Sequence, residues 1–310
     1  MKKLFYLLVS VLALFSCSDK IDLSKKLDSG KTALVVDAFI DNLPQKQKVV
    51  LTSTQYYFDN SGPKMATGAT VTLTDLTTQE AFPLSEANQG EYFSELDGDA
   101  FIKTGHDYQL NVSYQNQNYV AYSNVNRVVP IDSITFEMTK NFAGDELPGY
   151  FDAQFWADDV QGPGDRYWIR SYRNDTRFTD ADHIGIAYDA SSFSTGITDG
   201  VTFILPLRQF FINEQDTAKK WKPEQKITVE ICSITKDAAF FLAQVVTQSS
   251  LGSGTGVGGA LGALFATPPS NVPTNIKNTD VNGSKAAGFF CTSAVYRAET
   301  IVPIKAYRKP

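Results

Sequence analysis

Alternation of apolar and polar residues recurs along this chain in runs too short for anything but β-strands. Val71 and Leu73 are interleaved with Thr70, Thr72 and Thr74, and Tyr108, Leu110, Val112 and Tyr114 stand two apart. Successive side chains of an extended chain point to opposite faces, so each run has one apolar face, as half-buried antiparallel strands do. Between Lys31 and Pro130 the runs 33–40, 48–54, 69–74, 80–84, 91–95, 108–114 and 119–123 are rich in Val, Tyr, Phe, Leu or Thr. Asn88-Gln89-Gly90, Asp97-Gly98-Asp99 and Thr104-Gly105-His106 supply turns between them. About seven strands in roughly a hundred residues imply a small immunoglobulin-like β-sandwich over 31–130.

Val128-Val129-Pro130-Ile131-Asp132-Ser133-Ile134 reads as a hinge, because Pro130 has no N–H for a ladder. Beyond it, 134–139, 151–157, 166–172, 184–188, 201–207, 226–235 and 287–297 read as strands. One helix is predicted over 237–248, capped by Asp237, with Phe240, Phe241, Val245 and Val246 on its apolar face. Glycine dominates 251–262, where little side chain is available for packing. The expected fold class is therefore all-β and mostly antiparallel. A second β-sandwich or barrel-like domain with one short helix is expected over 131–310.

The start of the chain has a different character. Lys2 and Lys3 precede an apolar run from Leu4 to Phe15, the pattern of a secretory signal over 1–16. The run is shorter than the roughly 20 apolar residues a spanning helix needs. It ends Leu14-Phe15-Ser16-Cys17, which resembles the bacterial lipobox. That resemblance implies a diacylglycerol on Cys17, and two or more acyl chains anchor stably where one does not. Residues 17–30 then read as the lipidated cysteine and a polar tether. Loss of Lys2 and Lys3 would take the formal net charge from −6 to −8. An acidic body does not suit a phosphate backbone, so nucleic acid is not an expected partner. The membrane is one, through the lipid.

Candidate chemistry is sparse. The two histidines, His106 and His183, form no zinc motif, and neither a nucleophile elbow nor a P-loop occurs. Gly254-Thr255-Gly256-Val257-Gly258-Gly259 fits GxGxxG formally, but a predicted helix precedes it where the dinucleotide fingerprint needs a strand. Asp180, Asp182 and His183 cluster, as do Asp158, Asp159 and Asp165, and are read as solvated turn acids rather than a calcium site. No catalytic residue, metal or cofactor is expected. Cys232 and Cys291 lie in strand-like runs, and export permits a disulfide if those strands pair. The alternative is two buried thiols acting as small hydrophobes. Tyr56-Tyr57-Phe58 cannot all face one core, so these aromatics, and Trp221 between lysines, are candidate contact residues, with core or edge packing the competing reading.

Gly68-Ala69-Thr70-Val71-Thr72-Leu73, Gly90-Glu91-Tyr92 and Gly105-His106-Asp107-Tyr108-Gln109-Leu110-Asn111-Val112, in that order, resemble the transthyretin-type sandwiches of exported Bacteroidetes proteins. Adding Cys17, Leu34-Val35-Val36-Asp37-Ala38-Phe39-Ile40, the Val129–Ile134 hinge, Asn275-Ile276 and Gly288-Phe289-Phe290, the chain resembles the Bacteroidetes lipoprotein family catalogued as domain of unknown function 4249. The resemblance implies an outer-membrane lipoprotein, on the cell-surface or periplasmic face, beside a TonB-dependent transporter. It implies no catalytic residues. A non-enzymatic accessory or binding protein for nutrient uptake is the expectation. A structural or adhesive surface protein is the alternative, and an envelope hydrolase a weaker one.

Overall fold

The computed structural model describes residues 32–55, 59, 61–192, 198–253 and 272–304. Its first eight strands are β1 (Leu34–Asp41), β2 (Lys46–Ser53), β3 (Lys64–Met65), β4 (Thr70–Asp75), β5 (Ala81–Asn88), β6 (Glu91–Asp97), β7 (Asp107–Tyr114) and β8 (Gln117–Asn124). There follow β9 (Ser133–Lys140), β10 (Glu146–Trp156), β11 (Arg166–Arg173), β12 (Thr176–Arg177), β13 (Gly185–Tyr188) and β14 (Lys226–Ser233). Helix α1 (Lys236–Ser253) leads to β15 (Lys277–Asn278), β16 (Ala286–Ser293) and β17 (Val295–Ile301). The all-β, mostly antiparallel class holds.

One large sheet runs β15-β8-β7-β4-β5-β6-β2-β1-β16, with β3 on β2. It rolls up until opposite walls face each other across a core that includes Val36, Leu51, Leu73, Tyr92, Tyr108, Leu110 and Phe290. The alternation read from sequence sets the facing: Val71 and Leu73 of β4, and Tyr108, Leu110 and Val112 of β7, are buried. The two tyrosines keep their hydroxyls paired inside the core. Tyr92 Oη donates to Ala66 O at 3.0 Å, and Tyr108 Oη to Phe101 O at 2.8 Å.

Side chains close the barrel-like seam between β8 and β16. Asn275 Nδ2 donates to Phe290 O at 2.7 Å and to Tyr122 O at 3.3 Å, while its Oδ1 accepts from Phe290 N at 3.0 Å. This amide presents one donor and one acceptor to β16, as a paired strand would. Ser123 Oγ accepts from Thr292 N at 2.9 Å alongside it. Asn275→Ala is therefore expected to cost about 2–3 kcal/mol, because two or three bonds vanish and the N–H and C=O of buried Phe290 are left unpaired. Urea unfolding checks this, and an unchanged midpoint would refute the seam role.

The return of β15 and β16 also changes the expected domain plan. The stretch 131–310 is not a self-contained unit, since its late strands complete the first sheet. β16 lies parallel to β1, with Val36 opposite Gly288. The run expected as one strand over 287–297 breaks at the buried Ala294, where the chain leaves β16 for β17 in the other sheet. Ala294 N donates to Ser233 Oγ at 3.0 Å, which holds that crossing.

The second sheet runs β12-β11-β14-β17, with β13 on β11. The hairpin β9–β10 packs beside it, and Phe151, Phe155, Tyr167, Ile169, Val229 and Trp221 belong to its core. β14 is buried on both faces. Ile227, Val229 and Ile231 enter that core, while Thr228, Glu230 and Cys232 point to the opposite side. The strand expected over 201–207 is instead a short helix from Leu205, because Pro206 suits a first helical turn and not a ladder. Helix α1 begins one residue early, capped by Thr235 Oγ1 accepting from Ala238 N at 3.1 Å rather than by Asp237. Its buried face is Ala238, Ala239 and Leu242, with Phe241 half-buried and Phe240 exposed. The small alanines let α1 lie close against Trp168, Cys232 and Phe289 between the two sheets.

Candidate functional site

Strand alternation on β1 puts Leu34, Val36, Ala38 and Ile40 into the barrel core and turns Val35, Asp37 and Phe39 outward. On β11 the same rule sends Tyr167 and Ile169 into the second core and Trp168, Arg170 and Tyr172 the other way. These two outward faces, together with β2, β12, β16 and α1, enclose a cleft of about 650 Å³. That volume lies within the roughly 300–1,000 Å³ of small-molecule sites.

One wall is aromatic. Phe39 meets Trp168 edge-on at 5.2 Å between centroids, and Phe241 lies 4.7 Å from Phe289. The floor is ionic. Arg170 and Glu230 stand opposite each other on β11 and β14, with Nε 2.8 Å from Oε2. Arg170 Nη2 also donates to Asp41 Oδ2 at 2.9 Å, and Tyr172 Oη to Glu230 Oε2 at 2.9 Å. The Arg170 side chain is 8% exposed and that of Glu230 1%; this guanidinium compensates both carboxylates, and Arg297 adds a longer contact to Glu230 at 3.7 Å. Burial pushes the Tyr172 phenol up to about 12, further from ionisation.

Two charged groups of the cleft stand apart from this network. Arg177, on β12, stacks over the Trp168 ring at 4.6 Å, and its buried Nε has no hydrogen-bond partner. Burial lowers its pKa, and the neighbouring Arg170 lowers it further. Asp37 is exposed to the solvent of the cleft. Its carboxyl is raised above the usual range by burial, with Arg177 and Lys48 opposing the rise. Neither group has an ion-pair partner among the described residues. The lysines nearby are engaged elsewhere: Lys48 with Glu91 at 2.9 Å and Lys46 with Asp97 at 3.5 Å.

The residues singled out from sequence fare differently. Cys17 and Tyr56, Tyr57 and Phe58 lie outside the described residues, as do residues 254–262 of the glycine-dominated stretch. Trp221 is not a contact residue. It is fully buried, its Nε1 donates to Ile212 O at 2.9 Å, and Arg173 stacks over it at 4.5 Å. Of its flanking lysines, Lys220 pairs with Asp152 at 2.6 Å, and Trp221 itself bridges to Phe151. Cys232 and Cys291 form no disulfide; both thiols are free and buried. The condition for a bridge was that their strands pair, and β14 pairs with β11 and β17 whereas β16 pairs with β1. Both sulfurs sit in the apolar layer under α1, and burial pushes both thiols up, so they act as small hydrophobes.

The acidic clusters dissolve into structural roles. Asp165 clamps Arg127, whose Nη2 lies 2.6 Å from its Oδ2 and also donates to Val160 O and Gly162 O. Asp158 accepts from Thr202 Oγ1, and His183 meets Phe211 O at 3.1 Å with Glu214 at 3.7 Å. Asp159 instead joins Asp189 and Asp199, whose carboxylate oxygens all lie within 4.8 Å of one another, a spacing that could hold a hard cation. Oxygens of this trio already accept from Tyr167 Oη, Gly164 N, Asp165 N and Gly162 N, which ties the loops around 158–165 and 198–203 together.

Sequence reasoning missed Asp37, Arg170, Arg177 and Glu230. A signal existed for two of them: Arg170 and Glu230 each interrupt an otherwise apolar or aromatic strand, as Tyr-Trp-Ile-Arg and Val-Glu-Ile-Cys. A charge flanked so closely by core residues points to a buried pair. Asp37 and Arg177 carry no such mark.

No curated protein matches the chain. A family model described as a domain of unknown function, DUF4249, matches residues 20–299, which takes in both sheets, the seam and every wall of the cleft. The chain belongs to the DUF4249 family.

Proposed function

We propose that this protein is a non-catalytic binding or accessory lipoprotein of the cell envelope, held at the outer membrane by acyl chains on Cys17 and working beside a TonB-dependent transporter in nutrient uptake. The observation that carries the binding role is the open cleft between the two sheets, where an aromatic wall meets two oppositely charged side chains, Asp37 and Arg177, that have no ion-pair partner among the described residues. Binding is favoured over catalysis by how the remaining polar groups are used. Arg170 pairs with Asp41 and Glu230, Tyr172 donates to Glu230, and among the described residues no serine, cysteine or histidine lines the cleft. The anchoring rests on the lipobox-like Leu14–Cys17 sequence. The acidic charge of the body does not itself favour anionic lipid, so acyl chains would have to supply the attachment.

Cys17→Ala is expected to move the protein from the membrane to the soluble fraction, with loss of metabolic palmitate labelling and an unchanged thermal melt of the β body. Label retained in the variant would rule out Cys17 as the anchor. Co-purification from detergent-solubilised outer membrane addresses the partner; recovery as a lone species, without a transporter, would overturn that part.

A further inference from the structure

We propose that the cleft between the two sheets binds a zwitterion of amino-acid size, with Arg177 taking its carboxylate, Asp37 its ammonium group and the Phe39–Trp168–Phe241–Phe289 wall its apolar or aromatic side chain. The proposal rests on the binding role argued above and names the ligand class for that site.

The argument begins with charge accounting. A buried or half-buried charge that lacks a partner is costly, and such charges are normally paired. In and beneath this cleft the rule holds for the buried Arg170, Asp41 and Glu230, and the exposed Lys46 and Lys48 also have counter-charges. Asp37, which is exposed to the cleft, and the half-buried Arg177 are the two charged lining groups left without an ion-pair partner among the described residues, and they carry opposite signs. The Arg177 charge is felt at the Asp37 carboxyl, yet the two form no ion pair. A gap between facing opposite charges suits a ligand that inserts its own adjacent charges in reverse order. An α-amino acid carries an ammonium and a carboxylate on one carbon, which is that arrangement.

The geometry of each end agrees. The Arg177 guanidinium lies over the Trp168 ring, 4.6 Å from its centroid, and a guanidinium is a fork of donors that can grip a carboxylate through two bonds. Asp37 can only accept when ionised, which fits an ammonium with three donors. The aromatic wall begins at Phe39, two residues along β1 from Asp37 and therefore on the same outward face. A sugar is a poorer fit. Arg170 and Arg177 both stand over the Trp168 ring, at 5.4 and 4.6 Å, and occupy the face a pyranose would stack on.

The test is calorimetric titration of the full-length lipidated protein in detergent with L-phenylalanine, N-acetyl-L-phenylalanine and L-phenylalaninamide. The free amino acid is expected to bind at least tenfold more tightly than either blocked form. Asp37→Asn should abolish the penalty for acetylation while keeping that for the amide, and Arg177→Gln should do the reverse. Equal affinity for all three compounds by the wild-type protein, or no saturable heat with any of them, overturns the proposal without recourse to a variant. A crossed pattern in the variants would overturn the residue assignment. Because palmitate labelling and transporter co-purification are read separately, failure of this titration is distinguishable from failure of the envelope role.

Discussion

Gly288→Ala is expected to cost about 3–5 kcal/mol and to lower the melting temperature by roughly 10 °C. Gly288 sits in the middle of β16 with φ +85°, in the left-handed region that a side chain disfavours by about 1–2 kcal/mol. A Cβ built there would lie 2.0 Å from Val36 O and 2.7 Å from Val36 C and N. The obstruction is the backbone of β1, an inner strand hydrogen-bonded on both sides, so it has no room to retreat. Relief would require β16 to move off β1 and surrender their parallel ladder. β16 also carries Phe290 into the barrel core and Phe289 into the cleft, so both regions should loosen together. Thermal unfolding by circular dichroism is the measurement. A variant that melts with the wild-type protein would show that β16 is not pinned by this close approach.

Arg170→Leu is expected to be comparably damaging, by about 3–5 kcal/mol, for an electrostatic reason rather than a steric one. The substitution strands the carboxylates of Asp41 and Glu230, which are 6% and 1% exposed, without their shared cation. Asp41 and Arg170 are 129 residues apart in the chain, so their contact also ties the first sheet to the second. Arg170→Lys should recover only part of the loss, because a single ammonium cannot span two carboxylates as the planar guanidinium does. Arg170→Met combined with Glu230→Leu should lose less than the two single changes summed, since removing both members leaves fewer uncompensated charges. Urea denaturation of the wild type, Arg170→Leu, Arg170→Lys, Arg170→Met, Glu230→Leu and the double variant decides the matter. Additive losses would mean that the pair is not coupled.

Much of the strand content was readable from alternation alone. The β4 and β7 runs each present the apolar face that the sheet buries, and the order of weak motifs from Leu34 to Phe290 already resembled the family that the chain belongs to. Where reading failed, non-local pairing was the cause. The run 287–297 has no internal mark of the turn at Ala294, because the break comes from Ser233 on another strand. Trp221 between two lysines looks exposed until Phe151 pairs with it and draws the indole inward. The cysteines looked bridgeable because nothing local says which strands are neighbours.

The amino-acid sequence by itself determined the class of fold: a period of two, broken often by turn residues, admits strands and little else, and each run carries its own inward face. It also carried the lipobox-like start, which is a local motif. Only the tertiary structure decided that β16 returns to lie parallel to β1, that Asn275 closes the barrel, and that Asp37 and Arg177 face one cleft without touching. The physical reason is range. Side-chain direction follows from the dihedrals of a residue and its neighbours, whereas sheet partners and charge pairs are chosen by the free energy of the whole packed chain, to which distant residues contribute as much as adjacent ones.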